Sequence, residues 1–143
     1  MENNEEELSK RLMEIEYIRR ELENYINAIN TLQMTQESIS RSLSGLSELK
    51  HGDKEILVPY SPDIFFEGVI NDSSSAIVNI GSNIFKRMEM KDIKKRLEED
   101  LHDVESNISQ IAQIIQKLQE DGTRLEQEAN KLYEEYSGKN KQI

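Results

Sequence analysis

Residues 8–32 read LSKRLMEIEYIRRELENYINAINTL, and the spacing inside this stretch decides the fold. Leu8, Ile15, Leu22 and Ile29 lie seven apart, and Ile18, Tyr25 and Leu32 repeat the interval three residues on. Apolar side chains alternating at three and four residues are the a and d positions of a heptad repeat. They form a narrow helical stripe that is buried only against a second such stripe. The a series continues through Gln36 and Leu43, and the d series through Ile39 and Leu46. Gln36 is the polar exception, and Arg11 is the charged exception among the d positions. Working outward, Asn4 followed by Glu7 resembles a capping box ahead of a helix from about Leu8. Lys50-His51-Gly52 offers cations and a glycine for its end near Leu49. At 1.5 Å per residue such a helix is roughly 60 Å long.

The same pattern returns near the other end of the chain. Met90, Leu97, Val104, Ile111, Leu118, Leu125 and Leu132 form one seven-residue series. Leu101, Ile108, Ile115, Ala129 and Tyr136 form the other, interrupted by Gly122. Gly138 reads as the stop. Asp121-Gly122-Thr123 with Glu126 has the form of a break and a new cap. Both series nevertheless keep phase across it, and a glycine within a helix costs only about 1 kcal/mol against alanine. A continuous helix with a soft point at Gly122 is expected.

Between the helices the period becomes strand-like. Glu55–Tyr60, Ile64–Ile70, Ala76–Ile80 and Ile84–Met90 are short runs rich in β-branched and aromatic residues. Ser61-Pro62-Asp63 suits a tight turn, Gly81-Ser82 a type II′ hairpin loop, and residues 71–75 a loop. Two hairpins follow, the first strand with the second and the third with the fourth. Pro59 lacks a ladder donor, which puts its strand at an edge or a bulge. The expected fold is mainly α with a small β part. A long antiparallel two-helix coiled coil is joined by two β-hairpins, with residues near 49 facing those near 90 and both termini at one tip. The domains expected are an N-terminal helix over 1–52, a head over 53–90 and a C-terminal helix over 91–143.

The head holds more apolar material than four short strands can hide: Ile56, Val58, Phe65, Phe66, Val69, Ile77, Val78, Ile80, Ile84 and Phe85. An isolated hairpin is marginal in water and open strand edges invite pairing, so oligomerisation through the head into an intersubunit β-barrel is expected.

Composition narrows the function. With 36% hydrophobic and 32% charged residues, the 143-residue chain has too little apolar material for a large compact core, which agrees with a seam. The net charge is −10, and acids outnumber bases in both helices and in the head. Nucleic acid and anionic membrane are therefore poor partners. The absence of cysteine excludes disulfides, thiolate metal sites and a cysteine nucleophile. No apolar run reaches membrane-span length, and the acidic N-terminus is unlike a signal peptide, so a cytoplasmic protein is expected. Asn71 and Asn107 then match a glycosylation pattern by chance. No catalytic constellation, nucleotide-binding loop or cofactor motif is present. His51 reads as a helix-end cation, and His102 and the acids Glu98, Glu99, Asp100 and Asp103 as a solvated helix face. No metal site is expected.

Helix, two hairpins and helix in this order and length resemble the α-type subunit of prefoldin, a chaperone of archaea and eukaryotes. Single-hairpin subunits of that family are β-type. The segments that carry the resemblance are Leu57-Val58-Pro59, Phe66, Ala76-Ile77-Val78-Asn79-Ile80-Gly81 and Lys86-Arg87 running into the second helix. Tyr60-Ser61-Pro62-Asp63 and Ser82-Asn83 stand where glycine-rich turns are usual in the family. The resemblance implies a hexamer of two α-type and four β-type subunits. It further implies an ATP-independent holdase that keeps unfolded proteins between its coil tips and delivers them to a group II chaperonin. Leu8, Leu12, Met13, Ile15, Leu132, Tyr133 and Tyr136, where the helices are expected to fray, are the candidate client-binding residues. The alternative is that they merely finish the coil, in a structural tether or scaffold without clients. An insert of four strands argues against a plain rod. The even acidity argues against an arm of a nucleic-acid enzyme, and an independent enzyme has no motif to support it.

Overall fold

The computed structural model describes residues 2–50 and 55–141. The element order is α1 (Glu2–Lys50), β1 (Glu55–Ser61), β2 (Ile64–Val69), β3 (Ser75–Gly81), β4 (Ile84–Glu89) and α2 (Met90–Lys141). The chain divides into two compact units, one holding residues 1–33 and 106–143, the other residues 34–105.

In the first unit the two helices run antiparallel. Arg11 Nε lies 2.9 Å from Glu128 Oε2, and one heptad further along α1 Ile18 faces Gly122. Every apolar seam residue named above is half-buried or buried, as the heptads require. Among the described residues the buried apolar side chains are Ile18, Ile93, Leu125 and Ala129. A β-carbon built on Gly122 would sit 3.5 Å from Ile18 Cγ2, an ordinary van der Waals contact, so the seam has room for a methyl group at this position. α2 passes through it without interruption.

Both exceptions in the α1 seam are answered by carboxylates. Arg11 pairs with Glu128 and also, at 3.3 Å, with Glu14. In the second unit Gln36 Nε2 donates to Glu105 Oε1 at 3.5 Å. These side chains are partly solvated, so each contact contributes at most about 1 kcal/mol. Their use is to fix register, since a one-turn slip would strand a polar group in the seam.

Two boundary expectations change. α1 starts at Glu2, so Asn4 lies inside its first turn and does not cap a later start. α2 continues past Gly138, which keeps a negative φ and therefore makes no left-handed cap. The expected cap at His51-Gly52 lies outside the described residues.

In the second unit the strands form two separate antiparallel sheets, β1 with β2 and β3 with β4. The first turn pairs Ser61 with Ile64 around Pro62-Asp63, and the register shifts between Pro59 and Ser61, so the proline sits beside a bulge on an edge strand. The second turn pairs Gly81 with Ile84. Its loop is Ser82-Asn83 with φ of 50° and 58°, the two positive values of a type I′ turn, in place of the expected type II′ loop at Gly81-Ser82. The cause is a register shift between Asn79 and Gly81, which moves the turn one residue on. Gly81, at φ 125°, takes the bulge conformation, and its N–H donates to Asn79 Oδ1 at 3.0 Å.

The hairpins are copies of one pattern twenty residues apart. Glu55 pairs with Val69 as Ser75 pairs with Glu89, and both registers shift at the same place before the turn. Val58 and Val78, Ile64 and Ile84, and Phe65 and Phe85 are the identities. Beyond the second ladder, Met90 N donates to the Ser74 carbonyl at 2.8 Å, tying β3 to the first residue of α2.

Two outcomes test these assignments. Gly122→Ala should raise the midpoint of thermal unfolding by a few degrees, for about 1 kcal/mol of helix propensity gained at a site with room for a methyl group. Gly122→Leu should lower it by forcing the helices apart. A fall with alanine would contradict the close but unstrained approach. Replacing Ser82-Asn83 by Asn-Gly should raise the midpoint as well, because left-handed φ costs a serine roughly 1–2 kcal/mol. Ser82→Val should lower it.

Candidate functional site

A chain with a charged surface and a seam that consumes its helical apolar residues leaves few apolar side chains unpartnered. Apart from Ile26, Met34 and Ile114 on the helices, the exposed large ones fall into two sets, one in each unit.

The first set lies in the first unit, on the opening turns of α1 and the closing turns of α2. Leu12, Met13 and Tyr133 are 54%, 66% and 61% exposed. Leu8, Ile15, Leu132 and Tyr136 are half-buried in the seam. The seven candidate residues therefore divide into four that finish the coil and three that stand outside it. Exposure of the three does not need the helices to fray. Leu12 and Met13 follow Arg11, which pairs with Glu128 across the two helices, and Tyr133 follows the half-buried Leu132. Their positions outside the a/d seam are what expose them.

Tyr17, 59% exposed, belongs with this set and was missed by the heptad reading. Its signal was available, because Met13 and Tyr17 are four residues apart and so neighbours on one helix face. Ile26 and Ile114 are also exposed off the seam.

The second set is the head. Ile56, Val58, Phe65, Phe66, Val69, Ile77, Ile80, Ile84 and Phe85 are all exposed, as are Leu57 and Tyr60, which were not among the expected residues. Val78 is half-buried. On one face of the first hairpin Gly68 lies against Ile56 and Val58, and the Tyr60 ring meets Phe66 edge-on at 5.6 Å. That is as much cover as the hairpin provides for itself. At about 25 cal/mol per Å² of apolar surface, leaving this many large side chains in water forfeits more than an isolated two-stranded sheet can recover.

Neither set contains chemistry. Among the described residues no three His, Asp or Glu side chains converge to hold a metal ion, and no helix is long and apolar enough to cross a membrane. His102 and the acids around it lie on exposed turns of α2, and Lys94 reaches Glu98 only at 4.0 Å. His51 lies outside the described residues.

Comparison with known proteins identifies the family of this fold. The family model described as prefoldin subunit matches residues 18–135. Prefoldin subunit alpha of Pyrococcus horikoshii is 26% identical over 137 aligned residues, covering 84% of this chain and 93% of that one. Prefoldin subunit alpha of Thermofilum pendens is 27% identical over 124 residues, covering 84% and 95%. Among solved structures, a chain of the filamentous prefoldin of Methanocaldococcus jannaschii superposes with a TM-score of 0.67 at 21% identity, over 78% of this chain and 93% of that one. The family match runs through both helices and all four strands, so the likeness is to the whole fold and not to coiled coil alone. The chain belongs to the prefoldin family, as an α-type subunit of a non-enzymatic chaperone.

Proposed function

We propose that this chain is the α-type subunit of an ATP-independent cytoplasmic holdase. It captures unfolded polypeptides at the ends of its coil and delivers them to a group II chaperonin. Assembly is through the head, two copies with four β-type subunits, and the hairpins of different subunits close a β-barrel that no single chain contains.

The observation that carries this reading is the survival of two unpartnered apolar surfaces in a chain of net charge −10. The head surface is apolar and edged by open strands, which suits β-sheet addition by another subunit. In the first unit the exposed side chains Leu12, Met13, Tyr17 and Tyr133 stand outside the seam as small, separate apolar contacts. Such contacts bind weakly and without fixed geometry, and the flexible thioether of Met13 conforms to varied partners. Several coil ends acting on one unfolded chain then multiply weak contacts through effective concentration. The acidity keeps a protein with such patches soluble.

The triple substitution Leu12→Ser, Met13→Ser and Tyr133→Ser tests the capture surface. At about 1 kcal/mol lost per half-exposed side chain, binding at one coil end should weaken on the order of a hundredfold. Suppression of aggregation of a denatured client, measured with a β-type partner present, should fall while native mass spectrometry shows assembly intact. A variant that protects clients as well as the parent returns the chain to the tether reading. The converse pair, Phe65→Ser with Phe85→Ser, should abolish assembly and leave the helices formed by circular dichroism. Unchanged assembly would contradict the role given to the head.

A further inference from the structure

One of the contacts assigned to client capture is also one of the most oxidisable groups in the chain. The sequence has no cysteine and no tryptophan, which leaves its five methionines as the side chains that oxidise most readily. A thioether has no proton to lose, so access to solvent decides which of them reacts. Met88, in β4, and Met90, the first residue of α2, are half-buried. Met1 lies outside the described residues. Met13 and Met34 are 66% and 71% exposed, and both lie on α1 outside the two seven-residue series of the seam.

The two exposed methionines differ in their surroundings. Met13 follows Leu12 and lies four residues before Tyr17, so three exposed apolar side chains share two turns of the helix. Met34 belongs to the other unit, and the residues three and four away from it are Asn30, Thr31, Glu37 and Ser38, all polar. An oxygen added at Met34 joins a polar stretch of surface. The same oxygen at Met13 falls among the side chains that touch a client.

We propose that Met13 is an oxidation switch on client capture, with a peroxide as the oxidant. The thioether sulfur gives a lone pair to one peroxide oxygen, and the S–O bond forms as the O–O bond breaks. The proton on the transferred oxygen passes to the departing hydroxide, which leaves as water. Sulfur is oxidised by two electrons and the peroxide is reduced. The product is a sulfoxide, which is polar, chiral and a hydrogen-bond acceptor that holds water. A client then has to displace that water, and the adaptable apolar contact is lost. Met13 is at neither an a nor a d position, so the seam stays intact while capture falls. A methionine sulfoxide reductase reverses the change, the oxygen leaving as water while two thiols become a disulfide. The proposal rests on the capture reading and adds a condition that turns capture down.

The test treats the full chain with hydrogen peroxide, removes the peroxide, and only then adds a β-type partner and a denatured client. Peptide mass mapping reports which methionines carry oxygen, and Met13 and Met34 should react before Met88 and Met90. Client binding at one coil end should weaken about fivefold in the oxidised parent, the size of one lost apolar contact, while native mass spectrometry shows assembly unchanged. Met34→Leu should lose as much on oxidation as the parent. Met13→Leu, apolar but without sulfur, should show the same capture before and after peroxide. Met13→Gln should match the oxidised parent without treatment. Reduction by a methionine sulfoxide reductase with a thiol reductant should restore capture. An oxidised parent that captures as well as before overturns the proposal, and so does a Met13→Leu chain that loses as much as the parent. Met13 staying reduced while Met34 oxidises, or reduction without recovery, also overturns it. The triple substitution of Leu12, Met13 and Tyr133 by serine separates the two readings. If it weakens capture where oxidation does not, the capture contacts stand and the switch is wrong; if it too has no effect, both fall.

Discussion

The heptad seam constrains everything else in this chain. Each helix has a single apolar stripe, and in the first unit the stripes meet antiparallel, with Ile18, Leu125 and Ala129 buried. A seam is an economical use of apolar residues, and this explains how a chain with 32% charged residues folds at all. It also means that the helical apolar material is spent on the helices themselves. Nothing is left over to cover the strands between them, and side chains that fall off the seam, such as Met13 and Tyr133, have no partner within their own unit.

The head follows from that shortage. Two hairpins of six- and seven-residue strands cannot shield Phe65, Phe66, Phe85 and the aliphatic residues around them, and they do not join into one sheet. A surface of this kind in a chaperone subunit is explained by other subunits. The two hairpins share one backbone pattern, so the head presents two similar apolar surfaces that its own strands leave uncovered.

Much of this was legible in the sequence because periodicity reports burial directly. The two seams, four strands, hairpin order and bulge near Pro59 all come from patterns of two, three and four residues. What escaped depends on single backbone conformations or on the second helix. The loop at Ser82-Asn83 was placed one residue early because the bulge before Gly81 has no signature of its own. Asn4 and Gly138 carry the right residue types for helix ends, but a glycine stops a helix only where it turns left-handed. At Gly122 the expectation of a continuous helix holds, and the sequence gives no sign that Ile18 stands opposite it. The buried Ile93 sits outside both seven-residue series, although its place three residues after Met90 and four before Leu97 was a readable signal. The hairpin repeat was hidden because only Val58, Ile64 and Phe65 have identical counterparts; the shared registers reveal it.

The central claim is that the seam is complete within the chain while the head is not. Amide hydrogen exchange followed through dilution of the assembled protein tests it most directly, since it reports the stability of each segment separately. Amides of Ile15–Leu22 and Leu118–Ala129 should stay protected as subunits separate, while those of β1 to β4 should lose protection in step with dissociation. Head strands as well protected in the separated chain as in the assembly would contradict the account.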